Sequence, residues 1–343
     1  MRAVTVDTAT KTVTAQGGCR WKDVDTALAK HELATVGGTV NDTGIGGLSL
    51  GGGYGFLVGQ YGLVVDNILD IELVLADGSV KRCNASENSD LFWALRGAGA
   101  NYGIATSITY QAHDQTHDVW AGLLSFPKEK VRDIFEVANQ LAKVGDGRGF
   151  MLPAFVTSPP SFKVEIIAVV FFNGSKEEAM TFFKPLLALG PVLNTASSIP
   201  YWKSNEILND VLPSGYRRTF KGSSTLAPIS IDFAEDMLRE FEEFVTKVPD
   251  AKTSFVYFEN FPTQKTMEVI IQFSSRLTGR TCTELTLMRR TGLPNVHSLC
   301  KPRRRSWFTD CTWLDRQRKR YSLQRMGKSN VYQGPQSSIG EDG

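Results

Sequence analysis

The sequence predicts an α+β fold whose second part is an antiparallel sheet covered by helices, and three observations support this prediction. Short segments that alternate apolar and polar residues fill the first third of the chain, which is typical of half-buried strands. The dipeptide Asp77-Gly78 separates two such segments, and Asp-Gly in this position is a strong hairpin signal. After about residue 120, amphipathic helices alternate with apolar strands, which favours a sheet covered by helices.

The first 115 residues are predicted to form short strands and helices. RAVTVD and TVTAQG read as a hairpin, RWKDVDTALAKHE has helical spacing at Val24, Leu28 and His31, and NILDIELVLADGSVKRCN forms the strands around Asp77-Gly78. The segment SENSDLFWALRG is predicted to start with a capping serine and to end its helix at Gly97, and YGIATSITYQAH is a strand. Phe92 and Trp93 are predicted to lie in the core.

The second part of the chain has longer elements. KEKVRDIFEVANQLAKV and SIDFAEDMLREFEEFVTKVP are amphipathic helices, while FKVEIIAVVFFNG and TSFVYFENF are strands. The helix in SKEEAMTFFKPLLALG begins with a serine and has a glutamate three residues on, the capping-box pattern. We therefore predict one domain over residues 1–115 and an α+β domain over 116–271, followed by an aperiodic basic tail over 272–343.

The charge of the chain is uneven. The net charge is +2, yet residues 276–328 contain 14 Lys or Arg against 3 Asp or Glu, without a sustained period of 2 or 3.6. A disordered tail is the prediction favoured here over a nucleic-acid-binding arm, because no known module is visible. The abrupt change near Gln272 also suggests the hypothesis of translation in a wrong frame or of an intron, which sequencing of the transcript would test.

The cysteines and the N-terminus limit the class of protein. The five cysteines show no CxxC pair or His/Cys spacing typical of zinc sites, so no metal is predicted. No window approaches the ~18 apolar residues that a membrane span needs. The N-terminal segment alternates like a strand and has no signal-peptide pattern, so the sequence as written predicts a cytoplasmic chain and leaves the compartment of a longer form open.

Residues 37–55, GGTVNDTGIGGLSLGGGYG, hold nine glycines, no Lys or Arg, and one carboxylate, Asp42. The P-loop pattern is absent because no Lys follows the glycines, and neither GIGGLS nor GGGYGF completes the GxGxxG fingerprint. Glycine lets another group approach the backbone closely. We therefore predict a backbone-lined surface for a large neutral ring with carbonyl groups, here called the glycine wall; a tightly packed structural turn is the alternative.

These residues carry a resemblance to a known family. The stretch from HELATVGGTV through GGLSLGGGYG, YGLVVDN and ADG to DLFWALRG and NYG resembles the second half of the FAD-binding domain of vanillyl-alcohol-oxidase/PCMH-type flavoproteins. Within them it is most similar to berberine-bridge-enzyme-like oxidoreductases, particularly the fungal FAD-linked oxidases. The match runs from about Val4 to Gln111, and the middle of the chain resembles the family's substrate domain more weakly.

The resemblance implies a partial PCMH-type FAD-binding domain plus an antiparallel sheet covered by helices, with FAD between them. It implies an FAD-dependent oxidase or dehydrogenase that takes hydride from a small-molecule alcohol, sugar or secondary-metabolite substrate to flavin N5, with O2 or another electron acceptor. The alternative is a non-catalytic pseudoenzyme, a remnant of the fold that binds a partner. The substrate itself is not specified by the sequence.

The resemblance also implies site residues. The cofactor contacts it places on this sequence are Gly38, Thr39, Gly44, Gly47, Gly51, Gly52, Gly55, Asn67, Gly103 and Ile104. Tyr54 matches a tyrosine that assists deprotonation of the substrate, which at neutral pH needs a pKa below the usual ~10; the alternative is a buried ring capping the glycine turn. Asp66 is predicted to hold its loop. Further pocket candidates in the middle segment are Tyr201, Trp202, Tyr216, Phe255, Tyr257 and Glu259.

Three departures from the family pattern accompany the resemblance. Val40 stands where many members have the cysteine that bonds flavin C6, so that link is not expected. The subdomain with the pyrophosphate loop and the histidine attached to the 8α-methyl group precedes the matched segment in the family. It has no counterpart in this sequence, and none of its histidines (His31, His113, His117, His297) lies in a matching motif. The family's last flavin-contacting segment is replaced by the basic tail.

Overall fold

The computed structural model describes residues 1–158, 161–209, 219, 221–222, 225 and 227–269. The predictions for Tyr216, His297 and the basic tail lie outside the described residues. Within the described part, no helix has the length and apolar character needed to cross a membrane.

The described elements are short in the first part of the chain and longer in the second. The strands are β1 (Val4–Asp7), β2 (Thr12–Gln16), β3 (Leu33–Ala34), β4 (Ile68–Val74), β5 (Val80–Asn84), β6 (Ile104–Gln111), β7 (His113–Asp114), β8 (Val119–Pro127), β9 (Gly149–Thr157), β10 (Val164–Phe172), β11 (Leu193–Asn194), β12 (Ser197–Ile199) and β13 (Val256–Tyr257). The helices are α1 (Trp21–Ala29), α2 (Ile45–Leu50), α3 (Val58–Tyr61), α4 (Ser89–Ala98), α5 (Val131–Val144), α6 (Lys176–Phe182), α7 (Lys184–Leu187), α8 (Tyr201–Ser204) and α9 (Ile231–Lys247).

The first sheet has five strands in the order β1-β2-β6-β4-β5, all antiparallel. Both hairpins predicted from the sequence are confirmed, since Val4 pairs with Ala15 across the first turn and Val74 pairs with Val80 across Asp77-Gly78. β6 is the last of these strands in the sequence, and it joins the two hairpins by pairing with β2 and β4. β3 and β7 form a separate two-stranded ribbon.

The second sheet follows the order β11-β8-β10-β9-β13, with β12 also pairing with β8. The amphipathic helices α5 and α9 bury one face each in an apolar cluster with this sheet, in which Phe135, Phe155 and Phe241 are fully covered. The predicted antiparallel sheet covered by helices is therefore confirmed.

The opposite face of the second sheet packs on the first part of the chain. The ring of Phe56, just after the glycine wall, stacks on Phe171 at a centroid distance of 5.0 Å and on Phe150 at 6.1 Å. Asn173 donates from Nδ2 to Oε1 of Gln60 at 2.7 Å nearby. One apolar core therefore runs across the predicted boundary near residue 115, and the division into domains stays a prediction.

Three local predictions differ from the structure or refine it. Helix α4 starts after Asn88, which is in the left-handed conformation and makes no side-chain cap, so the predicted capping serine is wrong. Trp93 is 58% exposed, so its predicted core position is also wrong; its neighbour Phe92 is buried, because adjacent helical residues point about 100° apart. The capping box at Ser175 and Glu178 is confirmed.

Candidate functional site

A cavity of about 380 Å³ lies between the glycine wall and the chain just after β13. Its lining consists of Gly38, Thr39, Val40, Thr43, Gly47, Leu48, Gly51, Gly53, Tyr54 and Glu259. The volume falls in the range of about 300–1,000 Å³ typical of small-molecule sites, near its lower end. Glu259 is the one charged residue in this described lining, so the cavity is otherwise neutral.

Some glycines of the wall are explained by packing alone. A Cβ at Gly37 would lie 2.8 Å from the indole ring of Trp21, and one at Gly55 would overlap the carbonyl oxygen of Gly37. Gly53 has φ of +73°, and a Cβ there would lie 2.8 Å from Val64. At these positions the structural alternative holds, because any side chain would collide with the protein itself.

Other glycines of the wall face open space. A Cβ at Gly44, Gly47 or Gly52 would have no atom within 4 Å, and Gly47 lines the cavity from helix α2. Gly38, Thr39 and Tyr54 also line the cavity, and no hydrogen-bond partner for their backbone amides is found among the described residues. The site thus combines uncharged N–H donors with room for a close approach to the backbone.

Tyr54 and Glu259, which are far apart in the sequence, are in contact at the cavity. The Tyr54 hydroxyl donates to Oε2 of Glu259, and the Tyr54 ring lies 5.0 Å from that of Phe261. Burial, followed by the hydrogen bond to and negative charge of Glu259, raises the pKa of Tyr54 well above its ordinary value. Tyr54 therefore lacks the lowered pKa that a tyrosine needs to act as a base at neutral pH. The ring is 38% exposed, so Tyr54 is not a buried cap either.

Asn67 lies outside the cavity lining and holds its own loop. Its Nδ2 donates to the carbonyl oxygens of Tyr61 at 3.0 Å and Leu63 at 2.8 Å, so its Oδ1 accepts from Nε2 of His113 at 2.8 Å. The His113 ring stacks on Tyr61 at 3.6 Å, and burial lowers the pKa of His113 to about 4. Asp66 also serves the loop, accepting from the amide of Leu63 at 2.8 Å as predicted.

Gly103 and Ile104 also lie away from the cavity, at the start of β6. A Cβ at Gly103 would overlap the carbonyl oxygen of Val74, and Ile104 is 69% exposed. The assignment of Asn67, Gly103 and Ile104 as cofactor contacts therefore stays a prediction. The structure brings together Gly38, Thr39, Gly47, Gly51 and Tyr54 of the predicted set.

Some residues of the cavity were not predicted as site residues. Thr43, Leu48 and Gly53 belong to the glycine wall, and their position on the sequence was the available signal. Glu259 was one of several pocket candidates, whereas its bond to Tyr54 spans 205 residues and has no sequence signal. Of the other candidates, Tyr201 is core, and the Tyr257 hydroxyl is buried without a partner among the described residues.

A second groove, of about 1000 Å³, lies between α9 and the start of β10. Three lysines and three glutamates line it: Lys128, Lys163, Lys252, Glu129, Glu165 and Glu242. The balanced charges give this groove no preference for a class of ligand, and it shares no residue with the cavity at the glycine wall.

Comparisons with known proteins agree with this geometry. Residues 1–84 match the FAD binding domain family. The chain is 43% identical over 196 residues to the FAD-linked oxidoreductase pgmH of Aspergillus terreus, covering 56% of this chain and 40% of that protein. Its fold matches xylooligosaccharide oxidase of Myceliophthora thermophila (TM-score 0.58, 26% identity, 72% of this chain and 54% of that one). It also matches BBE-like 1 of Physcomitrella patens (TM-score 0.58, 25% identity, 70% and 55%).

The fold and the matched segment place the chain beside FAD-binding proteins. The chain is similar to FAD-linked oxidoreductases of the vanillyl-alcohol-oxidase/PCMH type, including berberine-bridge-enzyme-like proteins. It spans about half the length of the relatives it matches, between 40% and 55% of the three named above.

The residues at the cavity fit one part of FAD. An isoalloxazine ring is flat, uncharged and edged with carbonyl groups, which matches amide donors on a wall where Gly47 has no Cβ to obstruct it. The diphosphate of FAD needs cationic or clustered N–H partners. The described cavity lining contains no Lys or Arg, so it fits the ring and leaves the diphosphate to groups outside this lining.

Proposed function

We propose that the glycine wall holds the flavin ring of FAD and that the protein is an oxidase or dehydrogenase for an alcohol, sugar or secondary-metabolite substrate. The observation that carries this proposal is a cavity whose lining is uncharged except for Glu259, and in which the amides of Gly38, Thr39 and Tyr54 have no partner among the described residues. When bound, the flavin supplies a two-electron acceptor at N5 for a hydride from the substrate, and O2 or another acceptor takes the electrons afterwards.

The chain contributes binding and orientation of the ring. The amides of Gly38, Thr39 and Tyr54 are the donors available to the ring's carbonyl oxygens and nitrogens. Leu48 supplies apolar contact, and its neighbour Gly47 leaves space on the cavity side of helix α2. Because these donors are main-chain groups held by the fold, they lose little entropy on binding.

The chain also moves the substrate proton. Glu259 accepts the hydrogen bond of Tyr54, so a substrate O–H or N–H next to Tyr54 can pass its proton to the phenol while the phenol passes its own to the carboxylate. The carboxylate is then the net base, and tyrosinate need not accumulate. This assignment reconciles a catalytic role for Tyr54 with its raised pKa.

Val40 determines one feature of the bound cofactor. It lines the cavity, its side chain has no sulfur, and the resemblance aligns it with the flavin-bonding cysteine of many family members. We therefore expect FAD bound at this wall to have no thioether at C6.

Reconstitution of the full chain tests the proposal. Purified protein incubated with FAD and passed through gel filtration should retain flavin absorbance near ~450 nm. Anaerobic addition of a panel of alcohols and sugars, including xylobiose, should bleach that band for at least one compound. Protein that stays colourless at saturating FAD would instead support the non-catalytic alternative. Protein that binds FAD without bleaching would leave binding supported and would place the substrate outside the panel.

A further inference from the structure

A buried polar cluster connects helix α1 to the chain that follows α8. Asp25 of α1 is 3% exposed and Asn205 is fully buried. Nδ2 of Asn205 donates to Oδ2 of Asp25 at 2.8 Å. This contact joins two parts of the chain that are 180 residues apart.

Two oxygens in this cluster lack a donor. Oδ1 of Asp25 and Oδ1 of Asn205 are both buried, and neither has a hydrogen-bond partner among the described residues. Both oxygens belong to groups that the N–H···O bond already holds together, and one proton on the acid would supply a donor for Oδ1 of Asn205. Buried oxygens without a donor are costly, whereas a closed pair of hydrogen bonds satisfies both.

We infer that Asp25 is a neutral acid in the folded protein, that its Oδ1–H donates to Oδ1 of Asn205, and that loss of this proton loosens residues 205–209 from α1. The inference goes beyond the proposed oxidoreductase activity and does not depend on it.

The charges around Asp25 favour its neutral form. Burial is the main cause, and together with the negative charge of Glu206 it raises the pKa of Asp25 to about 7 against the opposing hydrogen bond from Asn205. Tyr201 of α8 is the other titratable neighbour, and burial keeps it protonated. No Lys or Arg of the described chain forms an ion pair with Asp25.

The other elements packed on α1 add no counter-charge. β2 and β3 contain no titratable residue, and Asp7 at the end of β1 accepts from the amides of its own turn. Arg2 pairs with Asp23, which lies on the exposed side of α1. Lys203 of α8 lies over the ring of Trp202 at 5.3 Å, Lys22 of α1 pairs with Asp42, and neither shifts the pKa of Asp25.

The cluster is connected to the glycine wall through Asn41. The Asn41 amide donates to the carbonyl oxygen of Asn205 at 2.7 Å, and its Nδ2 donates to Oε1 of Glu206 at 3.1 Å. Asn41 lies between Thr39 and Thr43, which both line the cavity. A change in the position of Asn205 would therefore reach the wall directly.

The sign of the pH effect follows from linkage. The folded-state pKa of about 7 is above the ~3.9 of an unfolded aspartate, so the folded state binds more protons between these values. The stabilisation is complete below about pH 4 and is lost as the pH rises to about 7.

Asp25→Asn tests this inference because an amide at position 25 can donate to Oδ1 of Asn205 at every pH. Relative to that variant, the unfolding equilibrium constant of the full-length wild type should rise about tenfold per pH unit from about pH 4 to 7 and then level off. The exposed Asp118→Asn should instead follow the wild type. Parallel profiles for the wild type and Asp25→Asn would overturn the inference.

Hydrogen exchange and infrared spectroscopy on the wild type keep the test independent of how well the variant folds. Protection of the Asn41 amide, corrected for intrinsic exchange, should fall as the pH rises through 7. A protonated-carboxyl infrared band should titrate in the same range. A wild type with no such band at pH 5.5, or with constant protection of Asn41, would overturn the inference.

Discussion

The phenol of Tyr54 donates its hydrogen bond to the carboxylate of Glu259, which lies 205 residues later in the chain. The first residue comes from the glycine wall and the second from the chain after β13, so the bond closes one side of the cavity. A tyrosine in this position cannot act alone as a base near neutrality, because burial and the adjacent carboxylate both favour its protonated form. In the proposed function, the pair rather than either residue accepts the substrate proton.

Glu259→Gln removes the net base and keeps a hydrogen-bond acceptor for Tyr54. We expect flavin reduction by a substrate to slow about 10²–10⁴-fold, the range for loss of a general base, with FAD content unchanged. Tyr54→Phe should slow it similarly, because the proton path is broken. Stopped-flow reduction under anaerobic conditions measures both, with the exposed Glu177→Gln as control. A loss below tenfold in both variants would contradict the proton path.

Alanine at two glycines separates packing from ligand contact. Gly55→Ala should strongly destabilise the fold, because its Cβ would overlap the carbonyl oxygen of Gly37. Gly47→Ala should raise the free energy of unfolding by about 0.5–1 kcal/mol, because Gly47 lies inside helix α2 with open space around its Cβ. Chemical denaturation of both variants measures this difference. Equal effects would contradict the distinction between a glycine that packs on the protein and one that faces open space.

His113→Gln should change the response to acid. The folded-state pKa of His113, about 4, is below the unfolded value of ~6.5, so its contribution to stability is present above pH 6.5 and lost as the pH falls towards 4. Glutamine can still donate to Oδ1 of Asn67 and does not titrate. The variant should therefore lose less stability than the wild type between pH 6.5 and 4, whereas the exposed His31→Gln should behave like the wild type. Denaturant midpoints across this range measure the difference, and identical slopes would argue against a neutral His113.

In air, Val40→Cys should form a thioether to flavin C6: the thiol proton and the C6 proton are lost, the two electrons reduce the flavin, and O2 reoxidises it. Val40 lines the cavity, and a thiol there would replace a methyl group of similar size. After incubation with FAD and acid precipitation, flavin absorbance should remain in the protein pellet of this variant and be absent from that of the wild type. Thr43→Cys, in the same lining, is the matched control. If flavin stayed in the pellet of both variants, the thiols would react with FAD without C6 of the ring lying at residue 40.

Much of the fold could be predicted because its signals are local. The hairpin at Asp77-Gly78 and the capping box at Ser175 and Glu178 each depend on a few adjacent residues, and both are confirmed. Trp93 could not be placed, because a helix of ten residues exposes one side and the sequence does not say which neighbour covers it. β13 was predicted as a longer strand, but only two of its residues pair with β9.

The sequence predicted the type of binding surface but not the role of each residue in it. The composition of residues 37–55 indicated a backbone-lined surface, and five of the predicted residues do line one cavity. Composition could not separate Gly47, which faces open space, from Gly55, which packs on Gly37. Nor could it reveal the Tyr54–Glu259 bond, since contacts across 205 residues depend on how the two sheets pack.

Flavin binding to the full chain with and without a side chain at Gly47 shows whether the flavin ring lies on the glycine wall. Gly47→Leu should fill the cavity and abolish retention of both FAD and riboflavin, whereas Glu136→Leu, at an exposed position of helix α5, should retain them like the wild type. Riboflavin carries the ring without the diphosphate, so it isolates the contact made at the glycine wall. Titration by fluorescence quenching gives both dissociation constants. If Gly47→Leu bound riboflavin as tightly as the wild type does, the flavin ring would not lie on the glycine wall.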